Sequence, residues 1–474
     1  MYKPFYQTSL LSALAVLAFT SCARDGYDDD ERFLSSVQGA ALLSPSADDI
    51  VITPSADGST QTISWPVVKG AGGYELRLFN TADESIIVSD TVDGCSLTLP
   101  REEDMNYRLE LRTMGNEKMR NTAAATATAK EFTTFTATYA SIPAGDLYEW
   151  FQQNPISDTV AVSRELNYDL EPGGKYTLSA PLGFDFHKVV LRTSNKNDRA
   201  TIALGQDANF VVYNDLTLKY IDIDASATTK AVMEAYNYTE EPGTDIIPKP
   251  GNYLLIDFVR LQECSLKGVK GSLFYDNNKS WAIVNFLIKN SIIEMNTAAS
   301  SVRNEAFISF QGGGIKNFTI SGSTVYQTSD ENSKYFMRYH NSVRVDRMGY
   351  DTSDHTTLTY TNNTFYRVAS GQWANYSGIS NYSAYNLQSN IWVDCADGQI
   401  ARRVMGNGRM GNGSIATWGN NTYWNNGEAV DNSSYDTGYI LATDPAFADA
   451  ANANFTPTGA EQVARQTGDP RWLN

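Results

Sequence analysis

The chain has 474 residues, 54 of them acidic and 37 basic, for a formal net charge of −17, with 42% hydrophobic and only 19% charged positions. That length suffices for two or three domains, and the acidic balance excludes a nucleic-acid-binding surface, which needs clustered Lys and Arg. The three His residues, at 187, 340 and 355, stand at no ligand spacing to a Cys, so neither metal nor cofactor is expected from the pattern.

Residues 1–21 carry Lys3, an apolar run over 10–19 and then small residues, the pattern of a secretion signal too short to cross a membrane as a mature helix. The run Phe19-Thr-Ser-Cys22 resembles a bacterial lipoprotein processing site, with Phe19 departing from the usual aliphatic residue. The resemblance implies that Cys22 is lipidated and anchors the protein in the outer membrane, since an anchor of more than one acyl chain holds stably to a bilayer. Residues 22–37 would be the lipidated tether. Its acidic run, Asp28-Asp29-Asp30-Glu31, reads as a solvated linker or, by resemblance to surface lipoproteins of Bacteroidota, as an export tag that places the protein on the cell surface.

Over residues 38–137 short alternating strands are separated by turns. The stretches 61–65, 73–79 and 107–113 each carry one apolar face. With Trp65 on the second strand and Tyr107-x-Leu109-x-Leu111 on a later one, this segment resembles a fibronectin type III sandwich. That resemblance implies a spacer without chemistry of its own.

Residues 138–474 are organised around the stretch 281–296, Trp-Ala-Ile-Val-Asn-Phe-Leu-Ile-Lys-Asn-Ser-Ile-Ile-Glu-Met-Asn. Its core is an apolar residue, two arbitrary ones, a small polar one, any residue, then another apolar one. Leu218/Ile221/Ile223, Leu261/Cys264/Leu266, Ile288/Ser291/Ile293, Ile320/Ser323/Val325, Tyr360/Asn363/Phe365, Leu387/Asn390/Trp392 and Trp418/Asn421/Tyr423 repeat it, with central positions 27 to 43 residues apart. Such self-similarity marks a solenoid, and alternation on both sides of the bend marks strands. An Asn at the bend tolerates left-handed angles, and Asn363, Asn390 and Asn421 in successive coils would bond as a ladder. A short helix within 143–153, with Leu147, Trp150 and Phe151 on one face, is expected to cap the open first coil. Residues 444–472 would close the far end.

This repeat resembles the right-handed parallel β-helix of pectate-lyase-like proteins. The expected fold class is therefore all-β: a fibronectin type III-like sandwich followed by a right-handed parallel β-helix with a capping helix. The order of signal, sandwich and β-helix is similar to that of uncharacterised Bacteroidota lipoproteins, which implies a part in glycan utilisation beside an importer. Of the remaining cysteines, Cys95, Cys264 and Cys395 are odd in number and cannot all pair within the chain, and the two in the solenoid sit where a thiol acts as a small core residue.

Strand patterns at 273–277, 307–311, 336–340 and 400–404 align so that Phe274, Ile308, Met337 and Ala401 point inward. Alternation then puts Tyr275, Ser309, Arg338 and Arg402 (or, on a one-residue shift, Arg403) in one outward column, with Asn277, Gln311 and His340 in the next. By the resemblance, this face corresponds to the groove that holds polysaccharide. Aromatic rings cover sugar faces, while Arg and amides bond to carboxylates and hydroxyls. The candidate site is thus Tyr275, Ser309, Gln311, Arg338, His340, Arg402 and Arg403, with Arg344 on a long loop over 341–355 expected to wall it, and Trp281 and Trp373 as sugar platforms. Two functions follow. The first is a surface lipoprotein that binds acidic, pectin-like polysaccharide; the second is a polysaccharide lyase, the one reading under which calcium enters. The outward columns lack the facing carboxylates of a hydrolase, and no Gly-x-Ser-x-Gly elbow is present.

Overall fold

A computed structural model describes residues 37–55, 59–340, 344–375, 383–405 and 414–473. The signal, Cys22 and the acidic run lie outside the described residues. The chain divides into two compact units, the first ending at Ala137 and the second beginning at Thr138.

In the first unit a three-stranded antiparallel sheet (Val51–Pro54, Thr60–Ser64, Ser96–Pro100) faces a four-stranded one (Ile86–Val92, Tyr74–Asn80, Asn106–Thr113, Thr128–Thr133). Alternation along each strand turns Ile63, Leu76, Leu78, Leu109 and Leu111 into one core with Trp65 and Tyr74.

The second unit is built from parallel sheets whose strands pair with the equivalent strand one coil on, while successive strands of the chain enter different sheets. That connectivity makes it a parallel β-helix. Leu218, Leu261, Ile288, Ile320, Tyr360, Leu387 and Trp418 fall in one register column. Inside, aromatic rings stack from coil to coil, Phe365 on Trp392 at 5.5 Å and Trp392 on Tyr423 at 5.3 Å. Cys264 and Cys395 are free and buried, and burial pushes the Cys264 thiol up to about 12.

The bend positions form a continuous hydrogen-bond ladder. The N–H of Cys264 donates to Ser291 Oγ (3.2 Å), that of Ser291 to Ser323 Oγ (3.0 Å), and that of Ser323 to Asn363 Oδ1 (3.0 Å). Asn363 donates through N–H and Nδ2 to Asn390 Oδ1 (3.1 and 2.8 Å), and Asn390 does the same to Asn421 Oδ1. The ladder ends on buried Asp436, which accepts from Asn421 Nδ2 at 2.9 Å and from the Tyr423 hydroxyl at 2.8 Å. The left-handed angle expected at the ladder residue belongs instead to the residue before it: Glu263, Asn290, Gly322, Asn362, Ser389 and Asn420 have φ between 49° and 56°. That geometry aims the next side chain along the solenoid axis, where it finds the coil above.

At the first coil, the helix Leu147–Gln153 is capped by Asp146, which accepts from the Glu149 N–H. Leu147 and Phe151 are buried, and the Phe151 ring lies edge-on to Tyr168 and Phe184. At the other end the C-terminal segment runs back across five coils. Gln462 Nε2 donates to Thr422 Oγ1, the Gly468 N–H to the Ser389 carbonyl, the Asp469 N–H to Thr364 Oγ1, and Arg471 to the Asn290 carbonyl, while Thr324 Oγ1 donates to Asp469. Among the described residues no helix is long and apolar enough to cross a membrane.

Candidate functional site

Short strands Phe210–Val212, Met233–Ala235, Phe274–Tyr275, Ala306–Ser309, Tyr335–Arg338 and Gln372–Asn375 make one face of the solenoid. Phe274, Ile308, Met337 and Ala374 align and point inward; Tyr275, Ser309, Arg338 and Asn375 align on the other side. The register expected for 274/308/337 and 275/309/338 is thus the one observed, with Asn375 as the fourth member.

Arg402 and Arg403 are not in that column. Residues 400–404 are not a strand: Ile400–Met405 is a helix, and its buried residues are Ile400, Ala401, Val404 and Met405. Apolar residues at i, i+1, i+4 and i+5 are helical spacing, which outweighs the period-2 reading. Arg403 pairs with Asp397, its Nε 2.9 Å from Oδ2.

Around the ends of these strands, Gln311, Arg338 and His340 converge with Asn278, Asn304, Phe310 and Tyr339 on an open depression of about 230 Å³. Arg338 is loosely held, 3.5 Å from the Asn304 carbonyl and 3.8 Å from Glu305 Oε2. Asn304 Nδ2 and His340 Nδ1 are sheltered from solvent without a hydrogen-bond partner. The rim is strained: Asn277 and Asn278 (φ 54° and 57°) and Asn304 and Glu305 (φ 50° and 64°) are two successive pairs of left-handed, non-glycine residues, a conformation that concentrates at ligand clamps.

Beneath the depression lies Asp276, completely buried. Its carboxylate accepts backbone N–H bonds from Asn278 (3.0 Å), Gln311 (3.0 and 2.9 Å to the two oxygens), Gly312 (2.8 Å) and Gly313 (2.9 Å). Burial pushes its acid up to about 6, against the pull of those four N–H groups toward the charged form. With both oxygens occupied, it has no lone pair aimed at a ligand.

The other expected residues are placed as follows. Tyr275 is half-buried beside the depression but does not line it. Ser309 has the outward register yet is fully buried, its Oγ unpartnered. Arg344 pairs with Asp346 at 3.0 Å, and its loop folds away, burying Val345 and Met348, the latter against Tyr253, Leu255 and Ala282; residues 341–343 of the expected wall lie outside the described residues. Trp281 and Trp373 are no platforms, because both are completely buried. Trp281 Nε1 donates to the Tyr236 carbonyl and Trp373 stacks on Phe336 at 4.3 Å. Sequence reasoning missed Asn278, Asn304 and Asn375; doubled asparagine at 277–278 is the signal that could have located the first. Among the described residues no group of three His, Cys, Asp or Glu side chains is placed to hold a metal ion. A second depression, on the sandwich, is lined by Glu75, Arg77, Glu110 and Arg112, where Glu75 already bonds to both arginines.

Three family models match the chain, each described as a domain of unknown function: DUF4992 over residues 3–173, DUF4957 over 174–328 and DUF5123 over 318–472. The first extends past the end of the sandwich unit at Ala137 into the early coils. No curated protein matches the sequence. Among solved structures, a pectate lyase from Erwinia chrysanthemi in complex with tetragalacturonic acid is 9% identical, covering 72% of this chain and 90% of its own, with a TM-score of 0.14. A pectate lyase from Pectobacterium carotovorum is 9% identical over 69% of this chain and 85% of its own, with a TM-score of 0.15. At those scores the β-helix assignment rests on the strand pairing alone.

Proposed function

We propose that the chain is a binder of extended acidic polysaccharide at the cell surface, held to the outer membrane through Cys22 and raised from it by a fibronectin type III-like sandwich. One observation carries the reading. Polar side chains from three successive coils, Asn278, Asn304 with Gln311, and Arg338 with His340, meet on an open surface with sheltered polar atoms unpartnered. Buried polar atoms are ordinarily satisfied, so a ligand rich in hydroxyls and carboxylates would complete this set, and Arg338 supplies the fixed cation that pairs with a carboxylate. A binding role is favoured over chemistry because the buried carboxylate, Asp276, is saturated by backbone donors. For the sandwich, the Glu102 N–H donating to the Tyr107 hydroxyl at 3.4 Å supports the fibronectin-like reading.

Affinity electrophoresis through polygalacturonate, with a neutral glycan as control, tests the function. Retardation by the acidic gel is expected, and release of unsaturated product by the wild type would replace binding with lyase chemistry. Replacing Cys22 by Ala should free the protein from the membrane fraction; a variant that still pellets refutes the anchor.

A further inference from the structure

We infer that Asp276 is the positioning residue of this site, the group that fixes three coils of the solenoid in the geometry the ligand meets. The inference rests on the reading of the depression as a binding site, but its evidence is separate. Asp276 sits on one coil and holds its own turn through the Asn278 N–H. The same carboxylate takes the N–H groups of Gln311, Gly312 and Gly313 on the next coil. Gly313 in turn accepts, through its carbonyl, the N–H of His340 on the coil after that, at 3.0 Å. Asn278, Gln311 and His340, one from each coil, all line the depression.

The arrangement differs from ordinary coil pairing. Backbone pairing between the coils runs one residue past the strands, the Asp276 N–H donating to the Ser309 carbonyl and the Phe310 N–H to the Arg338 carbonyl; beyond that, one side chain supplies the acceptors for Gln311, Gly312 and Gly313. Close approach makes this possible. A Cβ on Gly312 would lie 2.3 Å from the Lys279 carbonyl oxygen and one on Gly313 only 1.6 Å from that of Trp281. The two glycines let the turn settle directly on the coil below, where their N–H groups point at Asp276. A carboxylate is suited to the task because its two oxygens together accept about four hydrogen bonds, twice what a single amide oxygen offers.

The test needs no ligand in its first arm. In Asp276→Asn, one carboxylate oxygen becomes a donor that opposes the N–H groups it faced. Amide hydrogen exchange over residues 306–316 should then quicken at least tenfold, while exchange over the ladder at 386–394 stays as in the wild type. Asp436→Asn, which removes a carboxylate equally buried at the end of the ladder, should do the reverse. In the second arm, affinity for polygalacturonate should fall at least tenfold in Asp276→Asn and stay unchanged in Asp436→Asn at a temperature where both are folded. Should Asp276→Asn fail to fold, Asp276→Ser, which leaves space for water, takes its place. Unchanged exchange at 306–316 overturns the inference whatever the ligand. Quickened exchange with full affinity for the probe overturns it as well. If the wild type binds no probe, the polysaccharide reading falls and exchange alone decides the role of Asp276.

Discussion

Two corners of this solenoid are turned by left-handed residues, to opposite effect. At the ladder corner a single left-handed residue precedes each Ser or Asn, and the side chain that follows is fully used: Asn390 accepts from Asn363, donates to Asn421 and donates again to the Tyr360 carbonyl. Around Phe274–Tyr275 and Ala306–Ser309 the left-handed residues come in pairs, Asn277 and Asn278 after the first strand and Asn304 and Glu305 before the second, and Asn304 Nδ2 and His340 Nδ1 are left without partners. Repetition satisfies every amide along one corner and so gives stability. The other corner breaks the repetition, and its open valences are where a ligand adds most.

The largest loss of stability is expected at Gly313. Replacing it by Ala places a Cβ on the Trp281 carbonyl oxygen, and backbone cannot yield as a flexible side chain does. We expect destabilisation of about 4 kcal/mol or more, read as a collapse of the denaturant midpoint. A variant as stable as the wild type would show that the turn does not rest on the coil below it.

Next is the ladder. Asn390→Leu strands the Asn363 N–H and the Tyr360 carbonyl in the dry interior. At about 1 to 3 kcal/mol for each of the two unsatisfied groups, the loss should be about 2 to 6 kcal/mol. Binding to the probe glycan, measured where the variant is folded, should not change.

A third effect separates the corners by pH. The acid of Asp276 stands at about 6 in the folded chain against an ordinary 3.8. Folding therefore takes up a proton there between those values. Its contribution to stability is greatest below about pH 4 and declines by about 3 kcal/mol as the pH rises past 6. The difference in unfolding free energy between the wild type and Asp276→Asn should carry that slope. A difference that is flat from pH 4 to 7 would refute it.

How much of this was legible in the sequence follows from the same contrast. The ladder was readable because one six-residue pattern recurs seven times, and Asn363, Asn390 and Asn421 fall where the repeat puts them. The inward set Phe274, Ile308 and Met337 was readable from period-2 alternation. The strand at 400–404 was misread because Ile400, Ala401, Val404 and Met405 also satisfy a helical face, and a window of five residues cannot discriminate the two periods. Trp281 and Trp373 were misjudged since an aromatic residue fits a core as well as a platform, and only packing decides. Asn304 belongs to no repeat. Its place in the site comes from a strained turn between strands, which leaves no periodic signal.

The smallest change in stability, and the sharpest test of the contrast, belongs to Arg338. Its guanidinium is partly exposed, with its carbonyl and carboxylate neighbours at 3.5 and 3.8 Å. Such contacts on an open surface contribute between 0 and about 1 kcal/mol, so Arg338→Ala should leave the denaturant midpoint within about 0.5 kcal/mol of the wild type. A carboxylate seated in the depression would instead lose a charge-assisted bond, about 1.5 to 3 kcal/mol, or roughly one to two decades of affinity. Arg338→Lys should recover only part of that, since an ammonium cannot make the paired bonds of a guanidinium. The loss should be larger at low salt, where attraction to an acidic polymer is least screened. If Arg338→Ala bound polygalacturonate as the wild type does while Asn390→Leu lost it, the roles of the two corners would be exchanged, and the ladder side would be the place to look for the ligand.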